Sequence, residues 1–161
     1  PMNLLGSAAA FVYPHFSDYR AAVEAANTTL NVAALVGHTA LRSNHLEDLF
    51  RTATPDEIAA MREQLRESLE AGALGLSTGL AYASAYNAST DEVKQLTEEL
   101  TAFGAVYTTH LRSEFEPVLE AMEEAFSIGR HSRSPVIISH LKCAGVGNWG
   151  RSPQLLAALE E

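Results

Sequence analysis

Residues 105–142 read AVYTTHLRSEFEPVLEAMEEAFSIGRHSRSPVIISHLK. Two short apolar runs, Ala105–Thr108 and Pro135–Ile138, flank a helical pattern. That pattern starts near Glu114, tolerates Pro117 only in its first turn, continues through Val118, Met122 and Phe126, and stops at Gly129. Both runs are near-continuous rather than alternating, which is the signature of strands buried on two faces in a parallel sheet. The stretch is therefore read as one strand, one crossover helix and the next strand.

Working outward, two more runs of the same kind appear at Val32–Val36 and Ala73–Leu76. A helix is expected from Thr54, where Thr-Pro-Asp-Glu supplies an N-cap, a proline at the first helical position and Glu57 to close a capping box. Its apolar face is Ile58, Met61, Leu65 and Leu69, and Gly72 ends it. Another opens at Ser89 or Thr90, carries Val93, Leu96, Leu100 and Phe103, and stops at Gly104. A further helix is expected over Asp18–Ala26, and one more from Ser152-Pro153. The order is βαβαβαβα, an α/β class. A (β/α)8 barrel of the TIM type takes about 250 residues, so four successive βα units make about half of one. A doubly wound open sheet is the alternative. Residues 1–161 are read as part of one domain without an internal boundary.

Each apolar run ends in small or polar residues: Gly-His-Thr at 37–39, Ser-Thr-Gly at 77–79, Thr-Thr-His at 108–110 and Ser-His at 139–140. Ligands of α/β folds bind at such strand ends. No glycine-rich phosphate loop is present, which argues against a nucleotide site. His110 and His140 end consecutive strands, and neighbouring parallel strands lie about 4.8 Å apart. Their imidazoles can converge on one ion at Zn–N distances of about 2.0–2.1 Å, or each can be a buried histidine satisfied by backbone. His38 either faces the same cavity or, with Arg42, ties a loop; His15, His45 and His131 have no partner pattern. Lys142 and Tyr82 follow strand ends and can together hold a carboxylate; the alternatives are a solvated lysine and a packed aromatic. Cys143 reads as a small buried thiol rather than a ligand. The glycine-rich stretch at 144–150, with Asn148 and Trp149, is a loop placed to cover the site.

Composition narrows the function classes. With 11 Lys+Arg against 20 Asp+Glu the 161-residue chain has a net charge of −9, so phosphate backbones and anionic membrane surfaces are poor partners. One cysteine excludes an intramolecular disulfide framework, and no apolar run is long enough to span a bilayer. A soluble, cytoplasmic protein is expected. Met2–Ala10 resembles the apolar part of a secretory signal but lacks the basic segment before it. The start at Pro1 and the stop within Leu-Leu-Ala-Ala-Leu-Glu-Glu lead us to expect an internal piece of a longer chain.

The segments VGHTALR, EAGALGLSTGLAY, VYTTHLRSE and VIISHLKCAGVGNWG, in this order and spacing, resemble the N-acyl-D-amino-acid deacylases (D-aminoacylases) of the amidohydrolase superfamily. The likeness runs over nearly the whole chain from Tyr13 onward. It implies a zinc-bearing (β/α)8 barrel that hydrolyses the amide bond of N-acyl-D-amino acids to a carboxylate and a free D-amino acid. It further implies that His110 and His140 are two metal ligands and that Tyr82 and Lys142 contact the substrate carboxylate. The superfamily's upstream H-x-H pair, its cysteine ligand and its late aspartate base are not found in matching context, so no catalytic residue is assigned. The isolated piece is expected to be inactive without the remainder of its own barrel. Two other readings remain open. One is a cyclic amidase of the dihydropyrimidinase or dihydroorotase type, which bridges two metals with a carbamylated lysine. The other is a non-catalytic α/β binding domain with structural histidines.

Overall fold

In the computed structural model, residues 6–160 are described; residues 1–5, where the apolar stretch Met2–Ala10 begins, and Glu161 at the end lie outside them. Four parallel strands, β1 (Val36–Gly37), β2 (Gly75–Gly79), β3 (Val106–His110) and β4 (Val136–Ile138), lie in the sequential order β1-β2-β3-β4. Around them run α1 (Phe16–Ala25), α2 (His38–His45), α3 (Pro55–Glu70), the short α4 (Ala83–Tyr86), α5 (Thr90–Thr101), α6 (Val118–Ser132) and α7 (Ser152–Glu160).

The side-chain alternation of the strands decides between the two α/β architectures. Leu76, Thr78, Tyr107 and Thr109 are buried, and Leu76 and Tyr107 join Met61, Leu65, Leu96 and Leu100 of the helices in one core. Ser77, Thr108 and Ile137, which lie side by side in the ladder, face the other way, and Ile137 is 50% exposed. The helices thus cover one face only. A doubly wound sheet reverses its strand order and covers both faces; sequential order with a single covered face is half of a (β/α)8 barrel.

The ladder differs from the sequence reading at both ends. Of the run at 32–36, only Val36 pairs, together with Gly37. Ala34 accepts one further bond from the Leu74 N–H at 2.8 Å, and the residues upstream of it have no ladder partner among the described residues. β2 and β3, in contrast, continue past their apolar runs through the polar residues at their ends, to Gly79 and His110. The Thr78 hydroxyl lies 2.8 Å from that of Thr109 and 3.0 Å from the Tyr107 phenol, so buried hydroxyls satisfy one another across the two strands.

The capping reading of α3 is borne out: the Thr54 hydroxyl accepts from the Glu57 N–H at 3.3 Å, and Glu57 accepts from the Thr54 N–H at 2.8 Å. Ser89 caps α5. Phe103 is no part of the α5 stripe, because the helix ends at Thr101 and leaves it partly exposed. α6 begins after Pro117 and runs past Gly129 to Ser132; Arg133, left-handed at φ 53°, is the stop. Gly129 serves packing instead, since a Cβ there would sit 2.2 Å from Val136 Cγ2. Gly75 is similarly confined, with the Val106 carbonyl oxygen 1.9 Å from where a Cβ would be. A second core joins Leu111, Val118, Met122 and Leu155, and Cys143 packs against it as a half-buried thiol. Among the described residues no helix is long and apolar enough to cross a membrane.

His38 does not face the strand-end cavity. It opens α2 and is fully buried, with Nε2 2.8 Å from Glu92 Oε1 on α5. Arg42, one turn on, bonds the same carboxylate at 2.6 and 2.7 Å and reaches the Leu49 and Arg51 carbonyls at 3.2 and 2.6 Å. Burial alone would raise the Glu92 carboxyl, but the bonds from His38 and Arg42 outweigh it and hold it below the usual range.

Arg42→Met should leave Glu92 buried beside His38 alone and lower stability by about 3–5 kcal/mol; an unchanged urea midpoint for the complete protein would contradict this. The Glu57 carboxyl, held first by Arg51 and then by the Thr54 backbone, is lowered from 4.5 to about 2. A depressed folded-state pKa contributes stability above the unfolded value and loses it as pH falls through the folded one. The melting-temperature gap between wild type and Glu57→Gln should therefore be full above pH 4.5 and close on acidification toward 2.

Candidate metal centre

β3 ends with His110 on the uncovered face, paired in the ladder with Gly79 of β2. A Cβ on Gly79 would lie 2.6 Å from Tyr82 Cδ2. The bare glycine lets the Tyr82 ring fold back and stack on the His110 imidazole, with centroids 5.2 Å apart and planes at 29°. His140 stands two residues beyond β4 in the left-handed region at φ 41°. A non-glycine residue held there carries backbone strain, a feature concentrated at functional sites. His110 Nδ1 and His140 Nε2 are 2.8 Å apart. The structure thus brings the two histidines together.

Glu114, which the sequence reading treated as the start of a helix, joins them. It lies in the turn between β3 and α6 and is 7% exposed. Its Oε1 is 3.0 Å from His140 Nδ1, and its Oε2 is 2.5 Å from Lys142 Nζ and 3.9 Å from His110 Nε2. His110, Glu114 and His140 can bring one ligand atom each within 4.8 Å of one another. The available signal was a glutamate four residues after a strand-end histidine, before the proline that opens the helix. Burial, reinforced by His140 and Lys142 against the pull of Glu114, lowers the His110 pKa and favours the neutral imidazole that metals require.

The glycine-rich loop is pinned rather than loose. The Ala144 N–H donates to the Glu114 carbonyl at 2.7 Å, and buried Asn148 donates through Nδ2 to the Ala144 carbonyl at 2.9 Å and accepts from Arg151 at 2.6 Å. Trp149 is 78% exposed. A cavity of about 460 Å³ adjoins His110 and Glu114, walled by Tyr86, Phe115 and Pro117. Arg112 in its wall is committed to Glu124 and to the Tyr86 and Ala88 carbonyls. The remaining histidines stand apart: His45 bonds Gln64 and His131 bonds Glu98, while His15 flanks α1 and its N–H bonds Asp18.

The donor set fits a borderline metal such as zinc, which takes imidazole nitrogen and carboxylate oxygen. Two nitrogens on one tetrahedral ion, each about 2.0–2.1 Å away, are roughly 3.3 Å apart. His110 Nδ1 and His140 Nε2, at 2.8 Å, come within about half an ångström of that spacing.

The sequence profile of the amidohydrolase family matches residues 1–159. A D-aminoacylase of Alcaligenes xylosoxydans xylosoxydans is 42% identical over 160 residues, 99% of this chain and 33% of that protein. A crystal structure of D-aminoacylase superposes with a TM-score of 0.97 at 44% identity, covering 99% of this chain and 34% of the other. The N-acyl-D-glutamate deacylase of Bordetella bronchiseptica, crystallised with zinc and a phosphonate mimic of the tetrahedral intermediate, superposes at 0.88 with 38% identity, over 92% and 31% of the two chains. The chain spans about a third of the length of the curated relatives it matches.

Asn148→Ala should release the 144–150 loop, at a cost of about 1–3 kcal/mol for the groups left unpaired. Faster amide hydrogen exchange at Ala144 than in wild type is the expected reading; unchanged protection there would show that Asn148 does not hold the loop.

Proposed function

Because this chain belongs to the amidohydrolase family, we propose that the complete protein carrying it hydrolyses the amide bond of N-acyl-D-amino acids, giving a carboxylate and a free D-amino acid. The observation that carries this reading is the convergence of His110 Nδ1 and His140 Nε2, beside a buried carboxylate, at the ends of adjacent strands. His110 and His140 would hold zinc, with further ligands from the rest of the barrel, to which residues 1–161 contribute without an internal boundary. A zinc ion held there would supply Lewis acidity, for the amide carbonyl and for a water molecule near neutral pH.

The chain's own residues have separate parts in this reaction. His110, its pKa lowered by burial, presents a neutral nitrogen. Lys142 offers a cation to the α-carboxylate of the substrate, and the half-exposed Tyr82, stacked over His110, offers its phenol to the same group. Both oxygens of Glu114 are already engaged, by His140 and Lys142, which makes it a poor base for taking a proton from water. The general base therefore comes from elsewhere in the complete protein. The substrate is a small molecule in a cytoplasmic setting, with neither nucleic acid nor membrane as partner. None of the four described strands contains a lysine, which weighs against a carbamylated-lysine cyclic amidase.

Amine release from matched N-acetyl-D- and N-acetyl-L-amino acids by the complete protein, with and without a zinc chelator, tests the proposal. Chelator-sensitive, D-selective release is expected; release from no D substrate would overturn it. His110→Ala and His140→Ala should lose zinc and rate together, whereas either variant retaining both would remove that residue from the metal set. The isolated 161-residue chain should show no zinc-dependent turnover.

A further inference from the structure

We infer that Glu114 is a positioning residue of this centre: its carboxylate fixes the His140 tautomer and ring orientation, and the same carboxylate anchors Lys142. The inference rests on the reading of His110 and His140 as zinc ligands given above.

A carboxylate only accepts hydrogen bonds, and burying its charge is costly unless both oxygens are paired. Glu114 is nearly buried and both of its oxygens are engaged, Oε1 with His140 Nδ1 at 3.0 Å and Oε2 with Lys142 Nζ at 2.5 Å. A neutral imidazole carries one N–H. When Nδ1–H donates to Glu114, the lone pair is left on Nε2, and Nε2 is the His140 atom that faces His110 Nδ1 at 2.8 Å. The other tautomer would turn an N–H toward the ion. Lys142 Nζ also approaches His140 Nδ1, at 3.0 Å, but a protonated Nδ1 cannot accept from it, so the Lys142 charge falls to the carboxylate.

Packing cannot replace this bond. The His140 side chain is 52% exposed and its backbone sits in the left-handed region; its ring also meets the His110 imidazole edge-on and Lys142 Nζ, both of them more exposed than Glu114. Glu114 is itself fixed: its carbonyl receives the Ala144 N–H at 2.7 Å, which ties the carboxylate to the loop that follows His140. With one oxygen engaged by His140 and the other by Lys142, Glu114 is placed behind His140 rather than on the ion.

In the complete protein, zinc affinity measured by competition with a chromophoric chelator tests this, alongside circular-dichroism melting. Glu114→Ala should weaken zinc about 10–100-fold with the fold intact. Glu114→Gln, whose amide oxygen still accepts from Nδ1–H, should restore affinity to within several-fold of wild type. Should the alanine variant unfold, Glu114→Asp, one methylene too short to reach Nδ1, should show the same loss. Wild-type affinity in Glu114→Ala would overturn the inference while leaving the metal reading intact. A glutamine variant as impaired as His110→Ala would make Glu114 a direct ligand and overturn it too. No zinc bound by the wild type would overturn the metal reading and the inference with it.

Discussion

The period-two alternation of β3 is the constraint on which the rest depends. Tyr107 and Thr109 point into the helices, so Thr108 and His110 must point the other way. The outward set is locked by chemistry as well as by area. Tyr107 is fully buried, and its phenol and the Thr109 hydroxyl both meet Thr78 of β2. A slip of one residue would strand these hydroxyls and drive His110 among leucines. The imidazole therefore owes its direction to residues that never touch it, and the parallel registers on both sides bring Tyr82 and His140 to its level.

Two buried carboxylates illustrate how context divides one chemistry into two outcomes. Glu92 sits at the first turn of α5 between a fully buried arginine and a fully buried histidine and closes off from solvent, tying α2 to α5 and the 46–52 loop to both. Such an ion cluster favours one arrangement of its elements over others more than it adds net stability. Glu114 is similarly buried, but its partners, His140 and Lys142, stand half in solvent. Its charge is thereby turned toward a cleft rather than sealed within a core.

Elements with local signals were legible in the sequence. Thr54, Pro55 and Glu57 mark a helix start by chemistry contained in four residues, and His110 and His140 mark strand ends because the apolar runs before them stop there. Where tertiary contacts decide, the local signal misled. Gly129 reads as a helix stop, yet the helix passes through it because Val136 needs the space. Thr78 and Thr109 read as polar strand ends facing a ligand, yet they pair with each other inside the core. Val32 reads as strand, but pairing depends on a neighbour that the sequence does not specify. Glu114 and Glu92 went unread for a common reason: each lies near a helix start, where an acidic residue already has an ordinary explanation. Only the fold brings their partners, 26 and 54 residues away in sequence, to them.

The close approaches at Gly75 and Gly129 bear on how sequence variation in this chain is to be interpreted. At each position even a methyl group meets a neighbour well inside contact distance, so saturation mutagenesis would score both as intolerant as the histidines. Neither glycine lies at the candidate metal centre, and both act through the fit of a strand or helix against its neighbour. A map drawn from fitness alone would place these steric bottlenecks and the chemical site in one class. Assaying abundance and turnover separately would divide them, because a bottleneck removes the protein and a site residue removes only its work.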